Sequence, residues 1–376
     1  MSAATISALS DAQLAMRSCI GKVATGPEYS KDLSYDEAYA AMSQILSDTA
    51  DPVQTAVLFI ALRMKRETLD EYKGVLKAIQ DTARIVKAPV DEVLDIADPY
   101  DGHARGLPMA AFIAPVLASL GVPAISHGLE IVGPKYGITQ RKILRAAGKQ
   151  VDLDVETAAK RLGQDDIGWS YVDQAAFAPK LHALVPLRTR IVKRQVVTTV
   201  ETLVSPIRGQ KKTHHLTGYV HKAYPPIYAE LARFSGFDSA MIVRGVEGGV
   251  IPSLQQPAKL FYYYDRGEEQ FIEIDPKTLG IEQASRAVPL PKDLPGVATD
   301  GDEITVAFDA DIAAARAAEF GLAALQGQAG PARDSLVYSA AICLHHLGKA
   351  DSLSAAAEMV RKVLDSGKAL AHFQAG

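Results

Sequence analysis

Near residue 90 the chain changes its repeat, and nothing else in the sequence limits the fold as tightly. Up to about residue 88, apolar residues recur at helical spacing behind clear start signals. Ser34 is followed three residues later by Glu37, and Thr68 by Glu71. Each pair forms a capping box, whose side chains satisfy free amides of a first helical turn. Asp51-Pro52 offers an N-cap with proline at the first helical position. Residues 53–64 are apolar almost all round, which predicts a helix buried on several faces.

From Val93 onward, short apolar runs alternate with helical stretches. Residues 93–97 read as a strand, 98–107 as a loop, and an apolar helix starts near Pro108 and stops at Gly121. A second strand follows at 122–126 and a helix at 139–147, ended by Gly148. Strand and helix in alternation imply a parallel sheet covered on both faces. Further strands are predicted at 240–244, 260–264 and 270–274, with closing helices at 333–347 and 353–371. The proline-, glycine- and acid-rich segment 287–302 reads as a flexible surface loop. The expected architecture is α/β: a small N-terminal helical domain, residues 1–88, and a larger domain, 89–376, with a mostly parallel sheet.

A chain of 376 residues is too long for one small core, which agrees with this division. With 48% hydrophobic and 22% charged residues, the composition is that of a soluble globular protein. No apolar run approaches the roughly 20 residues of a membrane span, and residues 1–15 lack a secretion-signal pattern. Cys19 and Cys343 allow one disulfide, but so sparse a count fits buried thiols in a reducing cytoplasm better. The net charge of −4 gives no general attraction for nucleic acid, so such a partner needs a local basic patch.

Several segments, in order along the chain, resemble anthranilate phosphoribosyltransferases of glycosyl transferase family 3. They are Leu33-Ser34-Tyr35-Asp36-Glu37-Ala38, Ala61-Leu62-Arg63-Met64-Lys65-Arg66-Glu67-Thr68, His127-Gly128, Val185-Pro186-Leu187-Arg188, Arg244-Gly245-Val246-Glu247-Gly248 and Asp365-Ser366-Gly367-Lys368-Ala369-Leu370. The resemblance implies a helical domain with a returning segment near residues 178–205, a site between the domains, and a homodimer. In that dimer the helix at 53–64 is expected to be a support rather than an exposed face.

The same resemblance exposes what has changed. The family's first βα loop is glycine-rich and wraps pyrophosphate with its amides; here it reads Ala97-Asp98-Pro99-Tyr100-Asp101-Gly102-His103. Pro99 has no amide to donate, Tyr100 adopts glycine conformations at a cost, and two aspartates repel phosphate. The family's Lys-His-Gly-Asn-Arg-Ser becomes Ser126-His127-Gly128-Leu129-Glu130-Ile131, and its magnesium-binding Asp-Glu pair becomes Val250-Ile251. Arg188 aligns with an arginine that holds anthranilate. It can clamp an anion bidentately or pair with an acid at the domain boundary. Asp98 and Asp101 read either as replacement metal ligands or as turn formers, and Arg105 either as positive charge at a helix start or as a surface residue. Neighbours in His214-His215 and His345-His346 point apart, which argues against a metal. The ligand-binding candidates are Asp101, Gly102, Arg105, His127, Gly128 and Arg188. No catalytic residue, metal or other cofactor is expected, magnesium included.

One concentration of charge stands out against the acidic total. Between Arg188 and Lys222 lie Arg188, Arg190, Lys193, Arg194, Arg208, Lys211, Lys212 and Lys222 against a single acid, Glu201. Tyr219 and Tyr224 are available to stack on bases, and Lys135, Arg141, Lys142, Arg145 and Lys149 could extend the surface. The stretch reads either as a solvated helix face followed by a mobile loop, or as a basic surface. Residues 213–218 and the Val250-Ile251 replacement resemble the divergent, nucleic-acid-binding branch of the family. The expected function is therefore non-catalytic binding of single-stranded nucleic acid or another polyanion. The alternative is a glycosyl or phosphoribosyl transferase with a rebuilt site and a substrate other than anthranilate.

Overall fold

The structure is a computed structural model that describes residues 10–299 and 304–376. Most of the N-terminal stretch read for a secretion signal, and residues 300–302 of the acidic loop, lie outside them. Four helices come first: α1 (Asp11–Val23), α2 (Tyr35–Leu46), α3 (Pro52–Lys65) and α4 (Leu69–Thr82). Both capping boxes form as read, and Asp51 accepts from the amides of Val53 and Gln54. Glu71 does more than cap. Buried, it accepts the Leu33 amide at 2.8 Å and pairs with Lys65 at 2.8 Å, which ties α4 to α3 and the α1–α2 connection.

Helix α3 corrects one expectation. Leu58, Phe59 and Leu62 face the core, but Val53, Val57 and Met64 are 69%, 41% and 78% exposed. Its all-round apolarity serves two surfaces: the bundle interior and an open stripe beside the exposed Leu14 of α1.

Nine strands follow among the described residues: β1 (Val86–Lys87), β2 (Glu92–Ala97), β3 (Ala124–Gly128), β4 (Trp169–Asp173), β5 (Ile207–Arg208), β6 (Lys212–Gly218), β7 (Ser239–Val243), β8 (Ala258–Tyr263) and β9 (Gln270–Ile274). Seven form one sheet in the order β4-β3-β2-β6-β7-β8-β9, while β1 pairs with β5. All pairings from β4 to β7 are parallel, and β8 and β9 close the edge antiparallel. The fold is a small helical bundle joined to a larger α/β domain with a mostly parallel sheet.

The central strand β6 comes from the stretch read as a helix face and mobile loop. Its sequence Lys-Thr-His-His-Leu-Thr-Gly has no apolar alternation, yet every residue after Lys212 is buried. Partners on neighbouring elements, rather than apolarity, make burial tolerable: His214 bonds Ser239 and His215 bonds Asp95. The closing helix read over 353–371 is two, Leu353–Asp365 and Lys368–Ala375, broken at Gly367 in the left-handed region (φ 74°).

The sheet separates two apolar clusters. Leu94 and Ile96 of β2 pack with Phe112, Leu336 and Val337 on one side. On the other, Val93 and Ile125 join Met42 and Leu76 of the bundle in one continuous cluster. Helices Val185–Ile191 and Val196–Val200 return to pack on α3 and α4. Cys19 and Cys343 are both buried and free. No helix among the described residues is long and apolar enough to cross a membrane.

Candidate functional site

Strand β2 lies between β3, which follows it in sequence, and β6, reached only after β4. The chain thus winds away from β2 in both directions. In such sheets the crevice beyond the carboxyl ends of the diverging strands is where ligands bind. A cavity of about 220 Å³ opens there. Its floor comes from Ala97, Tyr100 and Asp101 after β2 and from residues 217–221 at the end of β6. The opposite wall brings Arg63 from α3, Arg194, and three hydroxyls, Thr198, Thr199 and Thr202, from the returning segment. Tyr224 and Tyr228 close one side.

The loop after β2 is held by side chains rather than left open. Asp98 accepts the Val250 amide at 3.0 Å and bonds His103 at 2.7 Å. Asp101 pairs with Arg194 at 2.6 Å and Lys135 at 3.3 Å. Gly102 is required by a crossing of chains: its φ is +74°, and a Cβ there would stand 2.6 Å from the carbonyl carbon of Gly137. Glu247, itself at φ +55°, accepts the amides of Ala104 at 3.0 Å and Arg105 at 2.7 Å. Two backbone donors of this loop are thus occupied by a carboxylate of the same chain.

His127 and Gly128 lie beneath this floor, both buried. His127 Nε2 is 3.0 Å from Asp95, and its Nδ1 is 2.5 Å from the Tyr100 hydroxyl. His215 contacts the same Asp95 oxygen at 3.0 Å. Burial pushes the Asp95 carboxyl upward, but the two imidazoles outweigh it and hold the group at about 2. Burial raises the Tyr100 hydroxyl well above its ordinary range. A fully buried chain, Asp95–His127–Tyr100, therefore ends at the cleft floor.

The basic stretch does not form one surface. Arg188 is buried and bonded to Glu201, the one acid of that stretch. Arg208 is half-buried and donates to the Ser235 carbonyl. Lys211 and Lys212 sit at the amino end of β6, away from the cleft, paired with Asp91 and Asp265. Arg190, Lys193 and Lys222 are exposed, and Arg194 alone of the eight lines the cleft. The cluster from 135 to 149 is largely neutralised: Arg141 and Arg145 meet Glu130, and Lys142 meets Asp311. Glu130 therefore serves this network. Tyr219 is buried edge-on against Phe261, which leaves Tyr224 the more available ring.

Val250, read from the sequence as the counterpart of a metal-binding carboxylate, has its side chain fully buried, and Ile251 packs against the same core. Among the described residues, no group of three or more His, Cys, Asp or Glu is arranged to hold a metal ion. Sequence reasoning missed Arg63, the three threonines, Tyr228 and the occupied amides at Glu247. The spacing in Val-Val-Thr-Thr-Val-Glu-Thr, which puts hydroxyls on adjacent turns, was the available signal.

Residues 17–83 match the glycosyl transferase family, helical bundle domain. An anthranilate phosphoribosyltransferase of Bradyrhizobium diazoefficiens is 27% identical over 359 residues, covering 96% of this chain and 97% of the relative. An uncharacterized protein of Aquifex aeolicus is 30% identical over 264 residues, 70% of this chain and 75% of that one. Two anthranilate phosphoribosyltransferase structures share the fold. The Thermus thermophilus enzyme has a TM-score of 0.70 and 20% identity, covering 96% of this chain and 97% of that one. The Saccharomyces cerevisiae enzyme, in complex with PRPP and Mg, has a TM-score of 0.73 and 17% identity, with 96% of each chain covered. In sequence and in architecture alike, the chain belongs to the anthranilate phosphoribosyltransferase-like family.

Proposed function

We propose that this member of the family binds rather than transfers, its interdomain cleft holding single-stranded nucleic acid or another polyanion without magnesium. The observation that carries the reading is the metal position. Val250 is wholly buried and Ile251 packs on the core, and neither side chain carries an oxygen for a hard cation. The Ala104 and Arg105 amides are engaged by Glu247, and Asp98 and Asp101 add negative charge where pyrophosphate would lie. Positive charge reaches the cleft from Arg63, with Arg194 beside it paired to Asp101, and Tyr224 offers a ring to a base. A homodimer in the cytoplasm is part of the same reading.

The rebuilt-transferase reading is favoured by one observation, the Asp95–His127–Tyr100 chain ending at the floor. Such a chain can hold a tyrosine hydroxyl in one orientation toward a ligand.

The test titrates the full chain with labelled oligothymidylate and, in parallel, with phosphoribosyl pyrophosphate and magnesium. Micromolar oligothymidylate binding supports the proposal. With about four phosphates contacted, log affinity should fall against log salt with a slope of roughly −3. Binding of phosphoribosyl pyrophosphate alone would put the transferase reading in its place.

A further inference from the structure

A second cavity, of about 720 Å³, adjoins the cleft and shares Tyr219, Val220 and Glu247 with it. Its size is that of a small-molecule site. Three arginines line it: Arg105 from the loop after β2, Arg244 just beyond β7, and Arg286 from the segment after β9. All three are exposed, and none has an acidic partner among the described residues. Several arginines elsewhere are matched: Arg141 meets Asp173, Arg194 meets Asp101 and Arg266 meets Asp238. Glu247 is the one acid on the wall. Its side chain is 9% exposed and both its oxygens accept backbone amides, so it is paired with none of the three arginines and leaves them in excess by two charges.

Three arginines that line one groove from three separate loops, against a single carboxylate, suit an anion with several oxygens. Guanidinium binds phosphate through parallel N–H bonds, and three such groups match two or three linked phosphates. We infer that this groove is an anion site for an oligophosphate group, whose organic body extends past Tyr219 into the hydroxyl-lined cleft. The site lies on the β7–β8 side of the cleft and uses neither the occupied amides nor the metal position. It also differs from the basic stretch between Arg188 and Lys222, to which none of the three arginines belongs.

The probe is inorganic tripolyphosphate, titrated calorimetrically against the full chain at low salt without divalent metal, beside orthophosphate. Tripolyphosphate should bind at least tenfold more tightly than orthophosphate. Arg244→Ala with Arg286→Ala should weaken it by about a hundredfold, since each charge-assisted bond is worth about a factor of ten. Arg105→Ala alone, which keeps the amide bonded to Glu247, should weaken it about tenfold by the same reasoning. Lys211→Ala with Lys212→Ala serves as the control for general positive charge and should change nothing. The inference is overturned if tripolyphosphate does not bind, or if the arginine and lysine variants lose affinity equally. The outcome is separable from the nucleic-acid proposal. Tripolyphosphate binding without oligothymidylate binding upholds this site and removes that proposal, and the reverse result removes this site alone.

Discussion

Arg188 places its two terminal nitrogens 2.7 Å from the two carboxylate oxygens of Glu201, with the guanidinium 1% and the carboxylate 0% exposed. Gln174 and Gln195 complete the arrangement. A pair so enclosed belongs to the scaffold, so Arg188→Ala should cost about 3–5 kcal/mol by stranding Glu201 without a counter-charge. Urea denaturation measures the loss. Arg188→Met combined with Glu201→Leu should recover most of it, which a ligand-binding role for Arg188 would not produce.

Carboxylates placed at Val250 and Ile251 should not create a metal site. Val250→Asp puts an unpaired charge where the valine is wholly buried, and should destabilise the fold by several kcal/mol. Neither the native chain nor Val250→Asp with Ile251→Glu should consume anthranilate in a fluorescence assay. Turnover by either protein would contradict the binding proposal.

Charge reversal separates the cleft from the amino end of the sheet. Arg63→Glu, at the cleft wall, should weaken oligothymidylate binding about tenfold and flatten the salt slope by roughly 0.7 for each phosphate no longer neutralised. Lys211→Glu with Lys212→Glu, at sites already paired with Asp91 and Asp265, should leave affinity and slope unchanged. Fluorescence anisotropy at several salt concentrations reads both.

The open stripe of α3 is expected to bury itself in a two-fold contact. Light scattering at low micromolar concentration should give twice the 40.2 kDa chain mass. Val57→Asp with Met64→Asp should give the single-chain mass, since both positions are exposed and the substitutions leave the bundle interior intact.

Mild acid should act at a cluster far from the cleft. The Ser239 hydroxyl lies 2.7 Å from His214 Nδ1 and 2.9 Å from His346 Nε2. Burial lowers His214, and lowers His346 to about 3. An unfolded histidine titrates near 6.5. Between those limits the unfolded chain holds a proton that the folded chain refuses, so stability is full above about pH 6.5 and falls as pH drops. His346 alone contributes a slope of about 1.4 kcal/mol per pH unit in that window. Denaturation at pH 7, 6 and 5 should show the loss, and His346→Leu should flatten it.

Much of the architecture was legible because local signals carry it. Capping boxes at Ser34 and Thr68 depend on residues three apart, and the strands near 93, 124, 240 and 270 announce themselves by apolar runs. Strand β6 did not, since its histidines become acceptable in a core only beside Asp95 and Ser239, 120 and 25 positions away in the chain. Of the cleft lining, Asp101 was named from the sequence but Arg63, Thr198, Thr199, Thr202 and Tyr228 were not. That Arg188 answers Glu201, or that Arg105, Arg244 and Arg286 share a groove, depends on pairings across the fold that spacing does not encode.

The apolar cluster shared by the bundle and one face of the sheet runs from Met42 and Leu76 to Phe237 and Tyr263 without a break. Helices and sheet therefore hold each other in place independently of anything bound between their loops. In such a molecule the loops around the cleft can change in sequence while the mutual bracing is untouched. A lineage built this way keeps its shape while substitutions are tried at the cleft, one loop at a time.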